Sequence, residues 1–328
     1  MTPVTRLLVP LALLFGLAAF ARRALYRMRL LQVSRVGVPV IVVGNITAGG
    51  SGKTPLVLWI VEHLCSARWR PGIVSRGHGG RIASRGEPPA EVSAGSDVAV
   101  VGDEPLLLAR RAQCPVWVGA DRVAACRALL TQHPECDVLV LDDGLQHYAL
   151  AREVEIAVID ARGFGNGHLF PAGPLREPVS RLAAVDAVVC NGDSNAANMK
   201  GHTMRMEGRE FVRLSDRSRA SGAAGLGSKR VHAVAGIGDP PRFFRHLEAL
   251  GFEVVPHAFP DHHAYTAADL AFGDRLPVVM TEKDAVKCTG FAEPHCWMLP
   301  VRAELDAAFG PMLDATLRRK RRHEPQEN

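Results

Sequence analysis

Val38–Ile46 is an apolar, β-branched run that leads straight into Thr47-Ala48-Gly49-Gly50-Ser51-Gly52-Lys53-Thr54-Pro55. A helical stretch from Pro55 to about Ala67 follows. A buried strand, a glycine-rich turn and a helix start, in that order, form a phosphate-binding loop. Gly49, Gly50, Ser51 and Gly52 let backbone N–H groups close around phosphate oxygens. The helix N-terminus adds its positive dipole end. Lys53 is placed to reach the β- and γ-phosphates, and the Thr54 hydroxyl to bind magnesium (Mg²⁺). Thr47 stands where the usual pattern begins with glycine. Pro55 is tolerated because the first helical turn leaves its N–H unused anyway.

The rest of the chain supplies a sheet for this loop. Ile73–Ser75, Asp97–Val101, Val116–Val118, Val138–Leu141, Val154–Ile159 and Ala187–Cys190 read as strands. Helices are expected from Glu104 to about Ala112 and from Arg122 to Leu130. Alternation of this kind implies an α/β fold, a P-loop core with a mostly parallel sheet covered on both faces. Thr203–Met206 and Phe211–Leu214 resemble the arms of a hairpin, and Ser215–Ser228 a Ser/Gly/Ala-rich linker. A smaller α/β unit follows: strand Val231–Ala235, helix Pro240–Leu250 capped by Asp239, then strands Phe252–Val255 and Val278–Met280. The expected division of the 328 residues is 1–35, an N-terminal helix; 36–200, the P-loop domain; 201–228, hairpin and linker; and 229–328, a C-terminal α/β domain with a basic tail.

Leu7–Ala21 is uncharged and apolar. As a helix it would be about 22 Å long, short of a ~30 Å hydrocarbon core. Arg22, Arg23, Arg27 and Arg29 follow at once, so it reads as an apolar plug with an interfacial basic helix on the cytoplasmic side. The first 61 residues carry no acidic side chain, and Arg318–Arg322 make a second basic end. The basic ends suit an anionic surface, and the tail also suits a solvated helix end. An anionic membrane surface, not nucleic acid, is the expected partner. The seven cysteines are scattered with no CxxC pair, which argues against a disulfide scaffold or a cysteine zinc site.

The strand Val138–Leu141 delivers Asp142-Asp143, the acidic pair that holds Mg²⁺ beside a P-loop. Gly144-Leu145-Gln146-His147 then lies at the carboxyl ends of the strands, where α/β sheets bind ligands. Three classes of P-loop protein compete. A GTPase fits Asp160-Ala161-Arg162-Gly163 but lacks a base-reading Asn-Lys-x-Asp. A membrane-bound ATPase switch of the partitioning type carries lysine just before the paired glycines, where this chain has Ala48. A kinase acting on a membrane substrate fits the basic, lipid-facing N-terminus best.

The P-loop from Gly44 to Pro55 resembles that of the tetraacyldisaccharide 4′-kinases, the lipid A 4′-kinases of Gram-negative bacteria. So do Ser75-Arg76-Gly77, Gly102-Asp103-Glu104-Pro105, Gly119-Ala120-Asp121-Arg122 and Asp142-Asp143-Gly144-Leu145-Gln146-His147. Pro171–Pro178, Asp261-His262-His263 and Thr281-Glu282-Lys283-Asp284 match in family order. One departure is His78, where the family usually has tyrosine.

The resemblance implies a kinase using ATP and Mg²⁺. It would phosphorylate the 4′-hydroxyl of a tetraacyldisaccharide 1-phosphate at the cytoplasmic face of the inner membrane, held there by the N-terminal helix. It further implies Asp103 as the proton acceptor, with a histidine of the Asp261-His262 motif as partner. His262 is assigned, Asp261 orients it, and His263 is its rival. Glu177 joins Thr54 and Asp142 as an expected Mg²⁺ ligand, with Asp143 behind them. Arg76, Arg122, Gln146, His147 and Arg176 are candidates for phosphate or acceptor contacts. Closure of the two halves over ATP is expected to bring His262 to Asp103.

Overall fold

The computed structural model describes residues 3–84, 86–192 and 201–322. A long helix, α1 (Pro3–Arg27), precedes two sheets. The first half of the chain runs β1 (Val40–Gly44), α2 (Lys53–Ser66), β2 (Pro71–Ser75), β3 (Ala90–Glu91), α3 (Val98–Val101), α4 (Asp103–Arg111), β4 (Val116–Val118), α5 (Arg122–Gln132), β5 (Val138–Asp142), β6 (Val154–Asp160) and β7 (Ala187–Asn191). The second half runs β8 (His202–Glu207), β9 (Glu210–Arg213), β10 (Arg219–Ser221), α6 (Gly222–Leu226), β11 (Arg230–Ala235), α7 (Pro240–Ala249), β12 (Glu253–Ala258), β13 (Val278–Thr281), α8 (Glu282–Cys288), β14 (Cys296–Leu299), β15 (Arg302–Leu305) and α9 (Phe309–Arg322).

Among the described residues the first sheet has the order β15-β8-β7-β6-β1-β5-β2-β4-β3 and the second β10-β9-β14-β13-β11-β12. The central strands of both are parallel, and antiparallel pairs sit at the edges. β1 is buried on both faces, which is why it reads as a continuous apolar run. Ile41 and Val43 pack under α2 with Leu56, Ile60 and Leu64. Val40 and Val42 pack on the other face with Leu129, Leu139 and Leu141.

Three sequence expectations change. The run Asp97–Val101 is not a strand: Asp97 accepts a hydrogen bond from the Ala99 N–H at 2.9 Å and caps a helical turn, with Val101 buried in the core. The expected hairpin does not form, because β8 pairs with β7 in the first sheet and β9 with β14 in the second. Nor is 215–228 an open linker, since β10 pairs with β9 and Leu226 of α6 is buried in the second core. The segment 229–328 also serves both sheets. β15 returns to the first sheet beside β8, and Phe309, Leu313 and Leu317 of α9 join its core. The basic end of α9 is partly spoken for, because Lys320 pairs with Asp186 at 2.7 Å.

Candidate active site

The P-loop sits at the carboxyl end of β1, between β5 and β6. Gly49 and Gly52 take left-handed φ values of 97° and 87°. Gly52 leaves no room for a side chain: a Cβ there would lie 2.3 Å from Asn191 Nδ2 and 2.6 Å from Met206 Cε. Asn191 Nδ2 instead donates to the Ser51 carbonyl at 2.9 Å, and Asn45 Nδ2 to the Gly49 carbonyl at 3.2 Å. These bonds hold the Ser51 and Gly49 carbonyls in place. Lys53 is buried and donates to Asn45 Oδ1 at 3.4 Å, with Asp143 Oδ1 also at 3.4 Å. Thr54 follows it at the start of α2. A cavity of about 530 Å³ opens from Gly50–Thr54 toward Asn191 at the end of β7 and Arg242 and Phe243 of α7.

The acidic pair lies one strand away, with Asp142 in register with Val43 of β1. Asp142 is 1% exposed and neither of its carboxylate oxygens has a hydrogen-bond partner. Burial, reinforced by Glu104, pushes its carboxyl up to about 7, against the pull of Lys53. The two Asp142 oxygens without partners and the Thr54 hydroxyl are hard oxygen donors of the kind a divalent cation prefers. Among the described residues no group of three or more His, Cys, Asp or Glu could hold a metal by itself. Asp143 differs. Burial would raise it, but Lys53 and Arg176, the latter at 3.1 Å, hold its carboxyl down to about 2.

The neighbouring candidates divide. Gln146 Nε2 donates to the Asn45 carbonyl and to Glu177 Oε2, each at 3.0 Å. Tyr148 donates to the other Glu177 oxygen. Both Glu177 oxygens are therefore engaged, and Asp142 is the carboxylate with free ones. Arg122 is buried and donates to the Ala120 carbonyl at 2.8 Å, and burial pulls it down to about 10. Burial, then Arg122 and Arg152, pull His147 down to about 4, so it is neutral, and its Nε2 is buried without a partner. Arg76 is exposed at the mouth of a second cavity, of about 670 Å³, which Phe15, Ala19 and Arg22 of α1 also line.

Asp103 and His262 meet at the rim of that second cavity. His262 Nδ1 lies 3.0 and 3.1 Å from the two Asp103 oxygens, and Asp103 is 4% exposed. The hydrogen bond to Asp103 raises His262 above its ordinary value, against burial and Lys283. Burial pushes Asp103 up, but His262 and Lys283 outweigh it and hold the carboxyl below its ordinary value. Asp261 stands beside the imidazole, 3.8 Å from Nε2. His263 points elsewhere, toward Asp269 at 3.4 Å and the ring of Phe259. His78 packs edge-on against His262, with ring centroids 5.0 Å apart. The two cavities share Gly50, Lys53 and Glu104 as a common wall. Lys53 therefore borders both cavities, and His262 lines the second.

Several residues around this point were not singled out from sequence. Arg162 donates to the Gly50 carbonyl at 2.6 Å and to the Gly238 carbonyl at 3.2 Å, tying the P-loop to the second half. Arg242 donates to Asn191 at 2.7 Å. Lys283 and Lys287 of α8 flank Asp103 and Glu104. Of these, Arg162 and Lys283 lie in motifs read from the sequence and Arg242 in an expected helix, and none carries an expected role.

A family model described as LpxK, tetraacyldisaccharide-1-P 4′-kinase, matches residues 4–318. The tetraacyldisaccharide 4′-kinase of Azoarcus sp. (strain BH72) is 55% identical over 307 residues, 92% of this chain and 89% of that protein. The enzyme of that name from Aromatoleum aromaticum is 52% identical over 308 residues, covering 92% and 90%. A crystal structure of LpxK from Aquifex aeolicus in complex with ATP superposes with a TM-score of 0.77 at 27% identity, covering 96% of this chain and 99% of that one.

Proposed function

The chain belongs to the tetraacyldisaccharide-1-P 4′-kinase family and is an ATP-dependent kinase of lipid A biosynthesis, and from that premise we propose how its own residues perform the transfer. The γ-phosphate of ATP passes to the 4′-hydroxyl of a tetraacyldisaccharide 1-phosphate. The nucleotide occupies the cavity against Gly49–Thr54, and the acceptor sugar the cavity between α1 and Asp143.

Phosphoryl transfer needs alignment and charge neutralisation more than covalent help. Lys53 supplies positive charge where the two cavities meet, backed by Arg176 on the acceptor side. Thr54 and Asp142 would hold Mg²⁺, whose bound charge neutralises the phosphate oxygens. Asp143, already paired with Lys53 and Arg176, orients those two cations. The acceptor hydroxyl loses its proton to the Asp103–His262 pair, with Asp103 as the acceptor and His262 as its partner. The proton ends shared between carboxylate and imidazole.

The acyl chains require an approach from the bilayer. The large apolar side chains of α1 are exposed, and Arg22 and Arg23 follow them, an arrangement that supports attachment at the cytoplasmic face of the inner membrane.

The observation that carries this reading is the Asp103–His262 contact, with His262 lining the acceptor cavity and Glu104, the chain neighbour of Asp103, lining both cavities. The test is a transfer assay on detergent-solubilised protein with Mg-ATP and the tetraacyldisaccharide 1-phosphate, read by mass spectrometry of the lipid. The lipid should gain one phosphate on the distal sugar, and Asp103→Asn should slow that gain by about 10²–10⁴-fold while ATP still binds. Full transfer by Asp103→Asn would remove the pair from the mechanism.

A further inference from the structure

The Asp103–His262 contact joins two separately built halves of the molecule. Asp103 opens α4, which packs on the first sheet, and His262 follows β12 of the second. A reacting group misplaced by about 1 Å can cost about 10²-fold in rate, so something must hold the two in register.

Lys283, at the start of α8, is placed to do this. Its ammonium donates to Glu104 Oε1 at 3.0 Å and to Asp261 Oδ1 at 3.2 Å, and lies 3.5 Å from His262 Nε2. Glu104 is the chain neighbour of Asp103, and Asp261 is the chain neighbour of His262. A single ammonium therefore grips the residue beside each member of the pair. The Lys283 side chain is only 15% exposed, unlike a solvated surface ion pair. One turn further along α8, Lys287 lies 3.6 Å from Asp103 Oδ2 and 3.0 Å from Asp284 Oδ1. Asp284 is itself anchored in the second half, accepting from the Gly236 N–H at 2.9 Å and the Thr281 hydroxyl at 2.6 Å. Helix α8 is thus pinned to its own sheet and presents two lysines on one face to the start of α4.

We propose that Lys283 is a positioning residue that assembles the Asp103–His262 pair by clasping Glu104 and Asp261, with Lys287 supporting Asp103 from the same helix. This rests on the reading of the pair as the proton acceptor. The clasp has an electrostatic consequence. Asp103 is faced by His262, by Lys283 and Lys287 of α8, and by its neighbour Glu104, while His262 is also faced by Asp261 and His78. Lys283 disfavours protonation of both members of the pair. Its removal should make the pair easier to protonate and move the acid limb of turnover to higher pH.

The experiment compares Lys283→Met and Lys283→Arg in the full chain, measuring kcat and the KM for ATP across pH, alone and in an Asp103→Asn background. Lys283→Met is expected to lower kcat by about 10²-fold and shift the acid limb upward. Lys283→Arg should recover part of kcat. In the Asp103→Asn background Lys283→Met should cost nothing more. An unchanged acid limb in Lys283→Met, or the same loss with and without Asp103, overturns the positioning role. Unchanged turnover in Asp103→Asn alone overturns the proton-acceptor reading itself, and the positioning role with it.

Discussion

His262 Nδ1 lies 3.0 Å from the carboxylate of Asp103, although 159 positions separate them in the chain. Neither residue is prepared for this by its own element. Asp103 stands in the first turn of α4, a place where a carboxylate needs no function at all to be favoured. His262 takes a left-handed φ of 62° in the short turn after β12. The contact exists because two sheets are packed so that this turn reaches the start of α4.

Asp103→Asn tests the pair's chemistry. Loss of a general base costs about 10²–10⁴-fold in rate, and kcat is expected to fall within that range. Asp103 is also the foremost influence raising His262. Whatever turnover remains should therefore lose its acid limb at a lower pH than in the parent enzyme. Steady-state kcat profiles against pH check both points.

The same contact should vary with pH in the folded protein. His262 is raised above 6.5, so its contribution is complete below 6.5 and is lost as pH climbs through the raised value. Asp103 is lowered below 3.8, so its contribution is complete above 3.8 and is lost as pH falls through the lowered value. The pair should hold the halves together best between those two limits and loosen on the alkaline side. Hydrogen exchange of the 261–263 turn, corrected for intrinsic rates, should be slower at about pH 6 than at about pH 8.5. Equal protection at both would mean that the contact does not restrain the turn.

Gly52 and Gly50 make a matched comparison in the P-loop. Gly52 has φ 87°, and a Cβ there meets Asn191 and Met206. The left-handed backbone alone costs a non-glycine residue about 1–2 kcal/mol. Displacing Asn191 also removes its bond to the Ser51 carbonyl. A Cβ on Gly50 has nothing closer than the Gly238 nitrogen at 3.7 Å. Gly52→Ala should lower the thermal midpoint by several degrees and weaken ATP binding about tenfold or more, a change of about 1.4 kcal/mol. Gly50→Ala should leave the thermal midpoint near the parent value. Calorimetry of both variants separates them.

What sequence could show follows the range of each interaction. The P-loop and Asp142-Asp143 are strand-to-helix or strand-end features, built within a dozen residues, so pattern alone located them. Asp97–Val101 looked like a strand because its β-branched content favours one, and the Asp97 cap with the core contact of Val101 won instead. The apparent hairpin around Gly208 failed because each arm found its partner far away, β8 beside β15 and β9 beside β14. Small residues in 215–228 suggested a linker, yet their small size is what lets Ala220 and Gly225 pack together. The clasp by Lys283 was invisible for the same reason as the hairpin error: Glu104 lies 179 positions away.

Helix α1 yields the last prediction. One stripe of it docks on the body. Phe15 meets Phe170 edge-on at 5.9 Å, Gly16 lies so close to Leu169 that an added Cβ would come within 2.6 Å of it, and Tyr26 packs near Tyr148 at 6.0 Å. Tyr148 bonds Glu177, so the docked stripe reaches the wall of the acceptor cavity. Other positions face outward, with Leu13 68%, Leu17 66% and Phe20 71% exposed. An apolar surface of this kind has no reason to persist in water, since burying each such side chain is worth about 1.5–3 kcal/mol. Replacing Leu13, Leu17 and Phe20 together by Asp should cut binding to anionic lipid vesicles by at least about 40-fold, even allowing each only half that value. ATP hydrolysis in detergent should change little, because none of the three touches the P-loop cavity. Gly16→Leu should do the reverse. It leaves the outward face intact but forces α1 off Leu169, so vesicle binding should persist while the KM for the acylated acceptor rises. Vesicle sedimentation together with acceptor kinetics distinguishes the two faces. Loss of both properties in both variants would show that α1 acts as one unit and that the docked and lipid-facing stripes have no separate roles.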